Sequence, residues 1–381
     1  MDLVADALFD HLCSEHADTV EPVLIRPSFA RRFTRAPATE GGGRFGGARF
    51  NADRLLNRYF DYPRYLRRAR NQFDLFHITD HSYAHLARHV PHARAIVTCH
   101  DLDAFRVVLE PSITPRTGRL IAGPLRMMAA SAMSGLCGAA MVACVSAATR
   151  DELLRHRLVD ADRTVTIPNG VAPVFSAAAD PQADRDAAHL LGPCRADTLE
   201  ILHVGSTIAR KRIDVLLRAF AAIREVFPMA RLLRVGGRFT ANQKRLAREL
   251  RIDDATLELP FVNSEVLAAI YRRTAMVLIP SEREGFGLPL IEAMACGVPV
   301  IASDLAVLRE VGGDAAQFAA VGDVAAWTAA ALELIRERCD DPVRCTARRA
   351  AGLARATNFS WSETAQRYVE LYRQVMNGGR E

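Results

Sequence analysis

Lysine is nearly absent from this chain. Among 49 basic residues, Lys211 and Lys244 are the two lysines, so arginine carries almost all the positive charge. In such a background each lysine marks a place where a compact ammonium serves better than a planar guanidinium. Cysteine pairs are also missing. The eight cysteines (Cys13, Cys99, Cys137, Cys144, Cys194, Cys296, Cys339 and Cys345) form no C-x-x-C motif, and several lie in apolar runs. There a free thiol acts as a small hydrophobe. A disulfide framework and a structural zinc site are therefore disfavoured, and a reducing, cytoplasmic setting is expected. Met1-Asp2-Leu3 leads into an acidic amphipathic pattern rather than a signal peptide. Met127 to Val145 carries no charge, but it is rich in Ala, Gly, Ser and Met. It reads as a buried helix followed by a buried strand rather than a membrane span.

What is present is an ordinary globular composition: 381 residues, 50% hydrophobic and 24% charged. That length suits two domains. The net charge of +5 hides a local bias, with twelve arginines between Pro22 and Arg70 against Glu40, Asp53 and Asp61. Such a segment can meet an anionic membrane surface or a phosphorylated acceptor; the alternative is a solvated helix face plus a loop. No nucleic-acid partner is expected.

Short apolar runs alternate with helical patterns. The expected strands are Ala95–Cys99, Ala140–Val145, Thr164–Ile167, Glu200–Val204, Arg231–Val235, Ala275–Ile279 and Val298–Ala302. This rhythm predicts parallel sheets built from βαβ units. It breaks at Ala177 to Thr198, rich in Ala, Asp, Pro and Gly, which reads as a linker. The expected organisation is a first α/β domain over 1–175, a linker over 176–198, a second α/β domain over 199–360, and a last helix over 361–381. Thr34 to Arg49, with its glycine clusters, reads as a mobile surface loop.

Ligands of open α/β sheets bind beyond the carboxyl ends of strands, and three such places hold chemistry. Ala275–Ile279 ends at Pro280-Ser281, then runs through Glu282-Arg-Glu-Gly-Phe-Gly287 into a helix with Pro289 in its first turn. Glu284 sits in the loop and Glu292 about one turn into the helix, on the loop side. The amides of Phe286, Gly287 and Leu288 favour an anion such as a diphosphate, and Gly285 and Gly287 allow close approach. The alternative is two surface carboxylates on an ordinary turn. After Glu200–Val204 come Gly205-Ser206 and then Arg210-Lys211 at a helix start, where cations are unfavourable unless an anion is near. A diphosphate would resolve that conflict; the alternative is two exposed basic residues. After Ala95–Cys99 come His100, Asp101 and Asp103. His100 can hydrogen-bond a substrate or shuttle a proton, or be purely structural. Asp101 and Asp103 resemble a carboxylate metal site only at a level that chance supplies, and no metal is expected. Asp80 and His81 are candidates for the acceptor side. His77, His81 and His85 would form a metal stripe only on one continuous helix, which the strand-like Leu75–Ile78 argues against.

Together these segments resemble the family 4 retaining glycosyltransferases of GT-B type. The carrying motifs are Val97-Thr-Cys-His-Asp-Leu102, Val142-Ala-Cys-Val-Ser146, Thr166-Ile-Pro-Asn-Gly-Val171, Val204-Gly-Ser206 with Arg210-Lys211, and Pro280 to Glu292 with Ala293 to Val300. Phe359-Ser-Trp361 and the final helix look like the family's closing element. The resemblance implies two Rossmann-like domains facing across a cleft, and a sugar transferred from a nucleotide diphosphate-sugar substrate without metal or other cofactor. It implies that Arg210 and Lys211 hold the diphosphate, Glu284 binds sugar hydroxyls with the amides of Gly285 to Leu288, Glu292 binds the ribose, and His100 contacts the sugar. Catalysis would rest on positioning and charge stabilisation. The acceptor would be a cell-envelope lipid, a polysaccharide precursor or a small molecule, reached from the cytoplasm or from the inner face of the membrane.

Two departures stand out. Relatives open with a buried strand and a glycine loop, whereas here Leu3 to Leu12 is helical. The expectation is a first domain lacking its N-terminal strand, through truncation or a start placed too far downstream. Ser206 stands where many relatives carry arginine. Competing readings are a nucleotide-sugar epimerase of the same architecture and a non-catalytic sugar-nucleotide-binding protein.

Overall fold

The computed structural model describes residues 2–34, 47–110, 119–192 and 198–378. Most of the expected glycine-rich loop (35–46), and Cys194 within 193–197, lie outside the described residues. The chain divides into two compact units, Met1–Ile167 with Thr364–Glu381, and Pro168–Glu363.

In the first unit four strands stand side by side in chain order, all parallel: β1 (Phe76–Ile78), β2 (Ala95–Cys99), β3 (Met141–Cys144) and β4 (Thr164–Thr166). β2 and β3 are buried at every position. That is the pattern of central parallel strands covered on both faces. Ile96, Val97 and Val142 have no exposed surface, and each such side chain contributes about 1.5–3 kcal/mol on burial. The uncharged stretch is helix Arg119–Cys137 followed by β3. Among the described residues no helix is long and apolar enough to cross a membrane. Before Phe76 the described residues hold helices and no strand.

The arginine-rich segment is pinned by two buried polar residues. Asp53 accepts hydrogen bonds from the backbone amides of Arg32, Phe33 and Thr34 and from the Thr34 hydroxyl. Asn57 exchanges hydrogen bonds with the backbone of Ala30, at 2.7 and 2.8 Å. Burial alone would raise the Asp53 pKa, but the Thr34 hydroxyl and the three amides outweigh it and hold it below the ordinary value.

The first unit is completed by the end of the chain. Helix Trp361–Gly378 starts in the second unit and belongs to the first from Thr364 onward. Tyr372 and Thr98 each hydrogen-bond one ring nitrogen of His77, at 2.8 and 2.7 Å, and Tyr368 meets the Thr98 hydroxyl at 2.7 Å. Burial pushes His77 down to about 3, so its ring is neutral and available for these neutral partners.

The second unit holds a six-stranded parallel sheet of β5 (Leu199–Val204), β6 (Ala230–Val235), β7 (Thr256–Leu259), β8 (Met276–Ile279), β9 (Val300–Ser303) and β10 (Gln317–Ala319). The spatial order is β10-β9-β8-β5-β6-β7. Chain progression therefore reverses between β5 and β8, which creates a crevice at their carboxyl ends. The sequence pattern missed β7 and β10. Both are short edge strands with partly exposed polar residues, so neither forms an apolar run.

Part of the stretch expected to be a linker is helical. Helix Pro181–Leu191 is capped by Asp180, whose carboxylate accepts from the amides of Gln182 and Ala183. It buries Ala183, Ala187 and Leu191, a four-residue repeat, and Asp184 pairs with Arg272 at 2.7 Å. In the same unit Gly170 lies against Trp361, where an added Cβ would stand 2.3 Å from the Trp361 nitrogen. The motifs Thr166–Val171 and Phe359–Trp361 thus meet backbone to backbone.

Gly135 offers a test of first-unit packing. Helix Arg119–Cys137 crosses the 3-10 helix His81–His89 so closely that a Cβ on Gly135 would lie 2.0 Å from the Ala84 carbonyl oxygen. Gly135→Ala is expected to lower unfolding free energy by about 1–3 kcal/mol, measured by urea denaturation. A change within 0.5 kcal/mol would show that the two helices separate freely.

Candidate active site

The switch point of the second sheet brings the two strongest sequence motifs together. The loop after β5 delivers Arg210 and Lys211, and the loop after β8 delivers Ser281 and Glu284. Lys211 Nζ lies 2.5 Å from Glu284 Oε1, and Arg210 Nη1 lies 3.3 Å from Oε2. The Ser281 hydroxyl donates to Glu284 Oε1 at 2.7 Å. The backbone closes the same join, since Arg210 Nη1 donates to the Arg283 carbonyl and the Glu282 amide donates to the Arg210 carbonyl at 2.7 Å. The Glu284 side chain retains 8% of its exposure and that of Lys211 13%, so this is a mostly desolvated cluster and not a surface pair.

This geometry revises one step of the sequence argument. On the sequence alone, cations at the start of helix Ile213–Val226 call for an anion such as a diphosphate. The protein supplies carboxylates instead: Glu284 for Arg210 and Lys211, and Asp214 for Arg212, paired through two bonds at 3.0 and 2.9 Å. Arg212 itself caps the helix in the left-handed region at φ 46° with no side-chain cap bond.

Helix Leu288–Ala295 begins at Gly287, which has φ 105° and no side-chain cap. Pro289 has no N–H and the Leu290 amide donates to the Gly287 carbonyl at 2.9 Å, so Leu288 carries the first-turn amide that an anion could use. A side chain at 287 would be strained by that φ and would press on Leu308 at 2.7 Å. Phe286 is buried and packs edge-on against Phe359, while Gly285 and Leu288 flank it in the same turn. Gly205 and Ser206 follow β5 directly. Gly205 lies against the stem of Lys211, with an added Cβ 3.7 Å from Lys211 Cε.

Glu292 is placed by a residue that the sequence pattern did not single out. Tyr271, fully buried at the end of helix Ser264–Arg273, donates its hydroxyl to Glu292 Oε2 at 2.9 Å. Desolvation pushes the Glu292 carboxyl up to about 7, against the opposing effect of the Tyr271 bond. Tyr271 left no trace in the sequence because a buried aromatic on an amphipathic helix reads as core. Ser281 was legible as the first polar residue after the strand.

In the first unit, His100 follows β2. Its backbone amide donates to His81 Nδ1 at 3.2 Å and its own Nε2 donates to the Thr79 carbonyl at 2.8 Å. Burial lowers its pKa, so the ring is neutral and Nδ1 is its accepting nitrogen. His81 Nε2 faces Asp101 at 3.6 Å, and Asp80 caps the 3-10 helix by accepting the Ser82 amide. Asp101 accepts the Asp103 amide, and Asp103 pairs with Arg106. His77 and His85 are turned elsewhere, His77 to Tyr372 and His85 to the Arg58 carbonyl.

The Glu292 shift makes a stability prediction. With the folded pKa near 7 and the ordinary value near 4.5, the native state holds this proton more tightly than the unfolded chain. The associated stability is complete below pH 4.5 and is lost as pH rises through 7, by on the order of a few kcal/mol. Glu292→Gln should remove that slope, so its unfolding free energy relative to wild type rises between pH 5 and 8. Parallel profiles for the two proteins would contradict the shift.

Comparison with known proteins agrees with the two-unit division. Residues 193–350 match the family model "Glycosyl transferases group 1", and residues 8–174 match "Glycosyltransferase Family 4". O-antigen chain mannosyltransferase B of Escherichia coli is 30% identical over 75% of this chain and 72% of its own length. D-inositol 3-phosphate glycosyltransferase 1 of Catenulispora acidiphila is 31% identical over 61% of this chain and 59% of its own. The chain thus spans a little under two thirds of that relative's length. Anabaena HepE, solved in complex with UDP-glucose, superposes with a TM-score of 0.62 at 19% identity, covering 82% of each chain, and shares the fold. With two parallel-sheet α/β units and both family models in chain order, the chain belongs to the group 1 glycosyltransferases of GT-B architecture.

Proposed function

We propose that this chain is a retaining glycosyltransferase that moves a sugar from a nucleotide diphosphate-sugar onto a cell-envelope lipid, a polysaccharide precursor or a small acceptor, without a metal or other cofactor. The observation that carries this reading is the Lys211–Glu284–Arg210 cluster at the switch point. A protein that needed those groups only for stability would gain little from them, because desolvating three charges offsets most of their attraction. A diphosphate arriving there gains two cations and the amides at Gly287 and Leu288 in one place. Glu284 then exchanges part of its ion pairing for hydroxyls of the donor sugar.

In this reading Arg210 and Lys211 hold the diphosphate and stabilise its charge as the sugar bond breaks. Glu292 accepts from the ribose hydroxyls. His100, neutral and with Nδ1 as acceptor, takes a hydroxyl of the sugar, and Asp80 and His81 serve the acceptor. The resemblance carried by the Glu-x7-Glu motif and the Arg-Lys pair supports the roles given to Arg210, Lys211, Glu284 and Glu292.

Membrane association is the second part of the proposal. Along 48–70 the exposed residues include Arg54, Arg64, Arg67 and Arg68 beside Leu55, Phe60 and Tyr65, with Phe60 at 55% exposure. Arginines interleaved with exposed apolar groups suit the surface of an anionic bilayer. The protein would then work in the cytoplasm at the inner face of a membrane.

Three measurements test the proposal. Transfer or hydrolysis is assayed over a panel of UDP-, GDP- and ADP-sugars. Lys211→Ala and Glu284→Ala should each lose at least 100-fold in kcat/KM, the scale of removing one charge-stabilising group; bound donor without turnover in wild type would favour a non-catalytic binder, and epimerised donor without transfer an epimerase. If the ribose donates to Glu292, binding favours the ionised carboxylate, so nucleotide affinity should rise with pH through 7 in wild type and stay flat in Glu292→Gln. Co-sedimentation with phosphatidylglycerol vesicles at low salt should fall for Phe60→Asp combined with Arg64→Glu. Wild type remaining in the supernatant would remove the membrane element alone.

A further inference from the structure

Arg234 is the largest charged side chain sealed inside the second unit, with no exposed surface. It lies near the carboxyl end of β6, in register with His203 on β5 and Glu258 on β7. Its guanidinium donates to two backbone carbonyls, Nη2 to Gly205 at 2.6 Å and Nη1 to Gly237 at 2.5 Å, while Nε has no partner. Among the described residues no carboxylate lies within 4 Å of it. Glu258, on the neighbouring strand, is engaged by the Phe239 amide and faces Lys244 at 3.8 Å. His203 is buried and neutral, held well below its ordinary value by desolvation and by the charges of Arg234 and Lys211, with Nδ1 unpartnered. The chain therefore keeps a desolvated cation here without an ion-pair partner; the Glu258 charge on the next strand and the Phe239 ring, 5.5 Å from its guanidinium carbon, offset only part of the cost of burying it.

The two carbonyls it holds belong to the glycine loops that follow β5 and β6. These loops are already in backbone contact. The Gly205 amide donates to the Val235 carbonyl at 2.9 Å, and a Cβ on Gly236, whose φ is 111°, would stand 2.4 Å from the Gly205 oxygen. The first loop continues into Arg210 and Lys211, and the Lys211 stem rests against Gly205. Arg234 thus fastens the base of the segment that presents the two cations of the candidate site.

We propose that Arg234 is a positioning residue for a nucleoside diphosphate: it locks the Gly205 and Gly237 loops together and lends the site a buried positive charge that is not held in an ion pair. This rests on the donor-site reading above and names a component of it. A buried cation acts on a diphosphate through low dielectric without touching it, so its influence should follow phosphate charge and not the nucleoside. Its neighbours cannot replace it, since His203 is neutral, Lys211 is paired with Glu284, and Glu258 carries the opposite sign.

The test compares wild type, Arg234→Met, Arg234→Lys and Lys211→Ala in the full chain, by calorimetric titration with UDP, GDP, ADP and the matching nucleosides. Arg234→Met should weaken the bound diphosphate at least tenfold and leave its nucleoside within twofold. Arg234→Lys should bind with intermediate affinity at pH 7. Its affinity should then fall as pH rises from 7 to 9, because a buried ammonium has a lowered pKa and gives up its proton there. That trend is opposite to the rise expected from Glu292. Should Arg234→Met not fold, the pH trend of Arg234→Lys decides the question. Equal weakening of diphosphate and nucleoside, diphosphate affinity within twofold of wild type, or a lysine variant without the falling trend would each overturn the proposal. If Lys211→Ala abolishes binding while Arg234→Met retains it, this inference fails alone. If wild type binds none of the three diphosphates, the donor-site reading fails and takes this one with it.

Discussion

The carboxylate of Glu284 is where the second unit's architecture becomes chemistry. β5 and β8 are neighbours in the sheet but far apart in the chain, and their loops leave in different directions. One carboxylate from the β8 loop, held by Ser281, reaches the consecutive cations of the β5 loop. The join fixes Arg210 and Lys211 at a helix start that would otherwise repel them. It also stores their charge in a mostly desolvated place, so that an incoming anion meets cations already ordered. The interaction holds the candidate site together and, in the proposed reading, is the one that a donor would partly displace.

Much of this was legible in the sequence because parallel βαβ architecture writes its strands as apolar runs and its ligand loops as glycines and charges just after them. The central strands and both motif loops stand where that pattern placed them. What stayed hidden has a common cause. β7 and β10 lie at sheet edges and are half polar; helix Pro181–Leu191 is short and alanine-rich within a stretch full of turn formers. Tyr271, His203 and Arg234 act through burial, and burial is a property of the assembled sheet. An arginine inside an apolar run reads as a snorkelling surface residue; only the packed unit shows that its hydrogen bonds go to two backbone carbonyls.

The candidate groups of the first unit work through neutrality. His77, His85 and His100 are all lowered by burial, and each spends ring nitrogens on hydroxyls or carbonyls. His81 accepts the His100 amide and turns its other nitrogen toward Asp101. The Thr79 carbonyl fixes Nε2 of His100 as a donor and the His100 amide fixes Nδ1 of His81 as an acceptor, so this pair orients donors and acceptors at the end of β2. The charge of the proposed reaction is thereby left to the second unit, where arginine and lysine sit against glycine-rich backbone.

The return of the last helix has a consequence in time. The first unit is built from the two ends of the sequence, with the second inserted between Ile167 and Thr364. On a ribosome, residues through β4 emerge long before Tyr368 and Tyr372, the partners of Thr98 and His77. Until that helix emerges, those buried polar groups lack their native mates and the first unit waits incomplete, whereas the second unit already has all its strands. The nascent protein thus acquires its proposed nucleotide-binding half before the half assigned to the acceptor is complete, and the emergence of helix Trp361–Gly378 is the event that closes the first unit.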